Sequence, residues 1–481
     1  MILFNMNTRN VYLYSELKVL QIDLAKNLLE KSLLCNSYFN IPKYSVDNLK
    51  KYDFLLFSNK MKLLLYLLVY PFLITARILK LLLLNTSLKK RKMVTGKIIE
   101  HLFVSHTVVR ESNQEKDLYF GHFPSNLEKN GSKILISFIE HVKINEECEE
   151  FKFINAKLTF LQICNYLYVQ FFGGIKIIEI IKLNDIFKLK KLVFYFKTIE
   201  HQFSSATFHN IVVSRKIADF CIINKVDFLH LTFEGNAFEE YTAYLLRGKK
   251  TRIRMHQFSP ITPGHIGIQQ FLLNDFCDLI VYCSGPVITN HLKNIATSNF
   301  EMITTGSSKF VNVGSIPSKP KELGVLLLPE GTTAQTLLFM DLAKSLKMKF
   351  SYVNFTLRAH PDLCRNRIIR KQIGDLKKYG IIFSDQILVK DFYNNHVSIF
   401  NSSAAGIESM FYGLLPIHFA TNGAERNIMN PLYLTRNPLF SGVYFDEIVD
   451  QINELLLNSK HELKSKLPEI AAGYFAPLVI H

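Results

Sequence analysis

The chain reads as an α/β protein whose C-terminal half is a Rossmann-like unit, and three stretches carry that expectation. Residues 397–419, VSIFNSSAAGIESMFYGLLPIHF, run as a buried strand, a polar turn, a short helix and a second buried strand. Residues 349–357, KFSYVNFTL, form a strand that ends in Arg358-Ala359-His360-Pro361. Residues 323–335, LGVLLLPEGTTAQ, give an apolar run that breaks at Pro329-Glu330-Gly331 and then opens a helical pattern through Leu346. Three strand–turn–helix units in this order bring their turns to one sheet edge, where open α/β sheets bind ligands.

The turn residues suit a phosphate. Ser402 and Ser403 fall where a strand stops and a helix begins, so unpaired backbone N–H groups and the positive helix end favour an anion there. Glu408 follows about one and a half turns later, within reach of sugar hydroxyls. A plain helix N-cap would place Ser at the same point. His360 closes its strand with Arg358 beside it, a cationic pair that suits a departing phosphate or diphosphate. Gly331 and Thr332 put a small and a hydroxyl residue at the third turn.

The N-terminal half repeats the pattern with carboxylates. Residues 226–240, VDFLHLTFEGNAFEE, are a strand, a turn and the start of a helix, with Glu234 in the turn and Glu239 in the first helical turn. Glu239 also suits the helix dipole without any catalytic role. Residues 251–258 form a strand that carries His256 near its end, and a loop rich in Pro and Gly follows. Further strands read at 100–106, 134–141 and 277–283, with Asp117 in the loop between the first two. A histidine at a strand end and an aspartate in a loop both have plain structural readings.

In their order, strand-Glu-Gly-Thr, strand-Arg-x-His-Pro and strand-Ser-Ser-x4-Glu-x4-Gly-x2-Pro resemble the donor domain of two-domain (GT-B) glycosyltransferases. More narrowly they resemble bacterial surface-polysaccharide enzymes that use cytidine-activated donors, the sialyltransferases and polysialyltransferases among them. The order Glu-Gly-x3-Glu, His-Gln, strand-Ser-Gly-Pro and Gly-Ser is similar to surface carbohydrate biosynthesis proteins. The resemblance spans residues from about 97 to about 435 and implies two Rossmann-like domains facing a cleft (GT-B-like). It also implies an inverting transferase moving a CMP-linked sugar, of sialic acid or Kdo type, to a glycan or lipid-linked acceptor. His360, Pro361, Ser402 and Ser403 would then contact the nucleotide phosphate, with Arg358, Gly331, Thr332 and Glu408 beside them. The acidic motif would supply the base, and Phe233-Glu234-Gly235 matches it with Phe in place of the first carboxylate. Glu234 is the favoured base, Glu239 the next and Asp117 the third; Asp117 and His256 also fall on the acceptor side, with phosphate as the other ligand open to His256.

Composition agrees. The 481 residues suffice for two or three domains. Seven scattered cysteines fit reduced thiols in a cytosolic protein. No metal-ligand spacing appears, so neither metal nor cofactor is expected beyond the nucleotide-sugar substrate. The expected divisions are a helical, basic extension over 1–96, an acceptor domain over 97–305, a donor domain over 306–440, and a helical segment over 441–481 that packs back across the cleft. The formal net charge is +16, and residues 1–100 hold 16 Lys/Arg against 6 Asp/Glu. An apolar run from Leu63 to Ala76, then Arg77, Lys80 and a basic cluster at 89–92, suit an interfacial helix on the inner membrane face or a buried hairpin. Three other readings stay open: a nucleotide-sugar 2-epimerase, a CDP-alditol phosphotransferase, and a basic membrane- or nucleic-acid-binding protein with no catalysis. The transferase itself calls for no nucleic-acid partner.

Overall fold

Alternating apolar runs and helical stretches demand parallel strands joined by crossovers. The computed structural model describes residues 99–107, 119–140, 158–180, 201–262, 265–272, 279–296, 300–312, 319–363, 366–420, 430–435, 444–457 and 461–479. The basic extension over 1–96, its apolar run and Asp117 lie outside these residues. The first half holds β1 (His101–Thr107), α1 (Phe123–Lys129), β2 (Ile134–Glu140), α2 (Phe160–Ile180), α3 (Ser205–Asn224) and β3 (Phe228–Thr232). It continues with α4 (Ala237–Leu246), β4 (Arg252–His256), α5 (Ile266–Phe271), β5 (Leu279–Cys283), α6 (Pro286–Ile295) and β6 (Glu301–Thr304). The second half holds β7 (Gly324–Leu328), α7 (Thr333–Lys349), β8 (Asn354–Leu357), α8 (Arg367–Lys378), β9 (Ile382–Phe383) and α9 (Leu388–Asn394). After these come β10 (Val397–Phe400), α10 (Ala404–Phe411), β11 (Leu415–His418), α11 (Phe445–Leu457) and α12 (His461–Tyr474).

The strands form two sheets, ordered β2-β1-β3-β4-β5-β6 and β11-β10-β7-β8-β9, and every neighbouring pair is parallel. The α/β class and the two Rossmann-like units are therefore as the sequence predicts. In the second sheet the order reverses between β7 and β10, which opens a crevice at their carboxyl ends. Val325, Leu327 and Ile399 pack on one face with Phe339 and Leu346 of α7. Leu326, Leu328 and Phe400 point to the other face and join the core of the first half.

The C-terminal segment crosses between the halves. Leu467, Ala471, Tyr474 and Phe475 are buried in the same core as Ile288 and Leu292 of α6. The tail then runs along the first sheet: Ala476 N donates to Ser284 O (2.8 Å), Ser307 N to Ala476 O (2.9 Å) and Val479 N to Thr305 O (2.8 Å). Gly306 has φ of +85° and lies against the Pro477 carbonyl, a place where any Cβ would collide. Burying Tyr474 and Phe475 stabilises this clasp by about 1.5–3 kcal/mol each.

Candidate functional site

A cavity of about 370 Å³ lies between the two halves, at the crevice of the second sheet. Gly331, His360, Ser402 and Ser403 line it from one side, and Glu234, Ser259 and His265 from the other. The turns after β7, β8 and β10 meet here because those strands are neighbours in the sheet.

On the second-sheet side the groups suit an anion. Ser403 caps α10, its Oγ accepting from Ala405 N at 3.3 Å. Ser402 is 7 % exposed and its Oγ has no hydrogen-bond partner among the described residues. A buried hydroxyl left unpaired costs about 1–3 kcal/mol, which a bound phosphate oxygen would recover. Gly331 keeps the turn after β7 close to His360, since a Cβ there would sit 3.3 Å from the imidazole ring. Lys309, in the connection between the sheets, is the one Lys or Arg among the lining residues. Its Nζ lies 3.2 Å from Glu408 Oε1 and 4.2 Å from the centre of the Phe258 ring.

On the first-sheet side a tight turn presents Glu234. Gly235 takes φ of +76°, and a Cβ there would meet the Ile268 backbone nitrogen at 2.7 Å. Ser259 Oγ donates to Glu234 Oε1 at 3.2 Å. Glu239 braces the turn from behind. It is fully buried and accepts from Thr232 Oγ1 (2.7 Å), Glu234 N (3.1 Å), Asn236 N (2.9 Å) and Asn236 Nδ2 (3.1 Å). The bond from Asn236 N to the Glu239 carboxylate is the half of a capping box for α4 in which the N3 side chain reaches back to the N-cap. Burial, and then the neighbouring Glu234 carboxylate, pushes the Glu239 carboxyl up to about 8, against those hydrogen bonds.

Beside the cleft, and sharing Tyr119 and Phe258 with it, is a smaller pocket lined by Phe120, Phe123, His256 and Tyr282. His256 ends a row of three hydrogen-bonded imidazoles. His101 Nδ1 is 3.0 Å from His230 Nε2, and His230 Nδ1 is 2.9 Å from His256 Nε2. Leu478 and Val479 of the crossing tail close the far side.

The sequence-expected residues thus divide. Glu234, Gly331, His360, Ser402 and Ser403 come together in the cleft, and His256 lines the pocket next to it. Glu239 lies behind the turn rather than among the lining residues. Thr332 caps α7, accepting from Gln335 N at 3.2 Å, and Pro361 opens a short 3-10 turn. Arg358 does not line the cleft: its Nη1 pairs with Asp391 Oδ2 at 2.8 Å and with the Gln386 carbonyl. Glu408 is taken by Lys309. Sequence reasoning passed over Lys309, whose linker carries no periodic pattern, and Glu330, although Glu330 stands inside the strand-Glu-Gly-Thr motif. Among the described residues no group of His, Cys, Asp and Glu is arranged to hold a metal, and no helix is long and apolar enough to cross a membrane.

No protein-family model matches the chain, and no curated protein does. Solved structures align over most of it. One is the UDP-GlcNAc 2-epimerase from Neisseria meningitidis bound to UDP-GlcNAc, at 12 % identity and TM-score 0.43, covering 78 % of this chain and 95 % of that one. Another is sucrose-phosphate synthase from Thermosynechococcus elongatus, at 14 % identity and TM-score 0.44, covering 78 % and 95 %. A third is the glycosyltransferase SnogD from Streptomyces nogalater, at 10 % identity and TM-score 0.41, covering 79 % and 96 %. Likenesses this loose carry no function across to the chain.

Proposed function

We propose that the chain is an inverting glycosyltransferase that moves a sugar from a nucleotide-activated donor to a hydroxyl of a glycan or lipid-linked acceptor. The observation that carries this reading is the unpartnered, buried Ser402 hydroxyl at the N-terminus of α10, in one cleft with Glu234. The donor's phosphate takes Ser402 Oγ and the helix end, with His360 beside it. Glu234 accepts the proton of the acceptor hydroxyl, whose oxygen bonds to the anomeric carbon as the bond to the phosphate oxygen breaks. The electron pair leaves with the nucleotide, and Lys309 and the helix end stabilise the charge. With that charge held by protein groups, the reaction needs no metal on this reading. A cytidine nucleotide as donor carrier, and attachment at the inner membrane face through residues 63–92, belong to the same proposal and rest on the sequence motifs.

Glu234 and Glu330 both line the cleft, and two carboxylates there favour a second reading, epimerisation at the sugar's C2. Incubation of CMP- and UDP-sugars with and without a bacterial glycan extract separates the two. Acceptor-dependent nucleotide release that disappears in Glu234→Gln is expected. Sugar turnover with no acceptor present, or full transfer by Glu234→Gln, would overturn the transferase assignment.

A further inference from the structure

Three histidines on one face of the first sheet, His101 and His230 buried and His256 partly exposed, have no part in the chemistry above. Register sets His101 beside Phe228 and Phe103 beside His230, with Arg254 next to His230, so alternate residues of β1, β3 and β4 face the same way. The rings are packed between aromatics: His230 stacks on Phe103 with centroids 4.0 Å apart, and His101 on Phe228 at 4.9 Å. Burial is the first cause that lowers the pKa of each imidazole, and Arg254 adds to it throughout. His256 is lowered to about 3, while Glu100 and Asp227 oppose the shift at His101. The row is therefore neutral at physiological pH.

Neutral rings joined in this way have only two proton arrangements. If His101 and His230 each carry hydrogen on Nδ1, His256 must carry its own on Nδ1 as well. If the hydrogens sit on Nε2, Nδ1 of His256 is a bare acceptor. In both, Nε2 of His256 is committed to His230. Nδ1 has no partner among the described residues, on a side chain that lines the pocket beside the cleft.

We propose that this pocket binds an uncharged, hydroxyl-bearing sugar ring, with His256 Nδ1 as its polar contact and with His230 and His101 as positioning residues. A sugar hydroxyl both donates and accepts, so it matches either proton arrangement, whereas a carboxylate matches one alone and gains no charged partner from a neutral row. Tyr119 and Phe258, shared with the cleft, offer aromatic faces to the ring's C–H edge. The pocket's volume of about 50 Å³ admits one edge or substituent of such a ring, against about 370 Å³ in the cleft. Naming this ring the acceptor's terminal residue rests on the transferase reading; its binding does not.

Saturation-transfer NMR on the full chain tests the proposal without donor. The probes are methyl glycosides of glucose, galactose and their 2-acetamido derivatives, set against glucuronic and N-acetylneuraminic acids. The uncharged set is expected to bind, and His256→Phe to weaken it at least tenfold. His230→Phe should weaken it too, with loss of the hydrogen-bonded imidazole N–H resonances, and His230→Gln should restore part. Nucleotide-induced melting shifts, recorded in parallel, show that each variant is folded and that the donor cleft is intact. Acids binding as well as uncharged sugars, or binding that His256→Phe leaves unchanged, would overturn the proposal while nucleotide shifts persist. Sugar binding with no nucleotide shift would instead sink the donor reading and uphold the pocket.

Discussion

All five residues of β7 and all four of β10 are buried, and both faces of the second sheet are covered by apolar side chains. The first sheet buries Leu102, Leu229, Ile253 and Val281 on one face, while the other carries His101, His230, Arg254 and His256 among aromatic rings. Among the described residues the second sheet is thus a largely apolar platform whose cleft-lining groups sit at its carboxyl edge. In the first, polar groups are built into the sheet itself. A platform with an anion-binding edge suits a constant ligand such as a nucleotide phosphate. A polar aromatic face suits a ligand recognised by its shape and hydroxyls. On this account donor and acceptor recognition are separate problems, solved by different surfaces that meet at Glu234.

Substitutions on the two sides should therefore have separable effects. The largest is expected of Glu234→Gln, which should lower transfer by about 10²- to 10⁴-fold with donor affinity unchanged by calorimetry. Next comes Lys309→Met, which keeps a side chain of similar length but removes the charge over the Phe258 ring. Turnover should fall by roughly 10²-fold, more than the acceptor KM changes. A Lys309→Met enzyme with normal turnover would move leaving-group stabilisation away from the linker. Gly235→Ala combines a left-handed φ with a backbone collision and should cost about 1–3 kcal/mol of stability, read as a lowered Tm, and displace Glu234.

Much of the donor side was legible because it depends on local order. Strand, turn and helix follow one another within 323–419, and parallel pairing of β7, β8 and β10 brings Gly331, His360 and Ser402 together. Arg358 shows the limit: its partner Asp391 lies 33 residues onward, and no periodicity reveals that pairing. The histidine row is harder still, since His101 and His230 are 129 residues apart and meet only through the register of β1 on β3. Lys309 reaches the cleft because the connection between the sheets passes there, which depends on how the two units face each other.

The smallest expected effect concerns pH and tells apart two parts of the first half, the histidine row and the turn that presents Glu234. The histidines bind protons in the unfolded chain below about 6.5 but resist them when folded, so stability should fall as pH drops from there toward about 3, the value of His256. Glu239 works in the opposite sense: its folded value of about 8 lies above the unfolded value near 4.5, so its contribution is lost as pH rises between them. Denaturation midpoints should peak near neutrality. His230→Phe should flatten the acid limb and Glu239→Gln the alkaline one, and an unchanged profile in both would contradict these assignments.

The central claim is that Ser402 and the α10 N-terminus receive a nucleotide phosphate. Thermal melting of the full chain with millimolar CMP, CDP, UDP and GDP, in the wild type and in Ser402→Ala, tests it most directly. A nucleotide at 100 times its dissociation constant should add about 2.7 kcal/mol, and loss of one hydroxyl contact to a charged group should remove about 1.5–3 kcal/mol of binding. The account predicts a rise in Tm with a cytidine nucleotide that shrinks in Ser402→Ala. No rise with any nucleotide, or a rise that Ser402→Ala leaves intact, would contradict it.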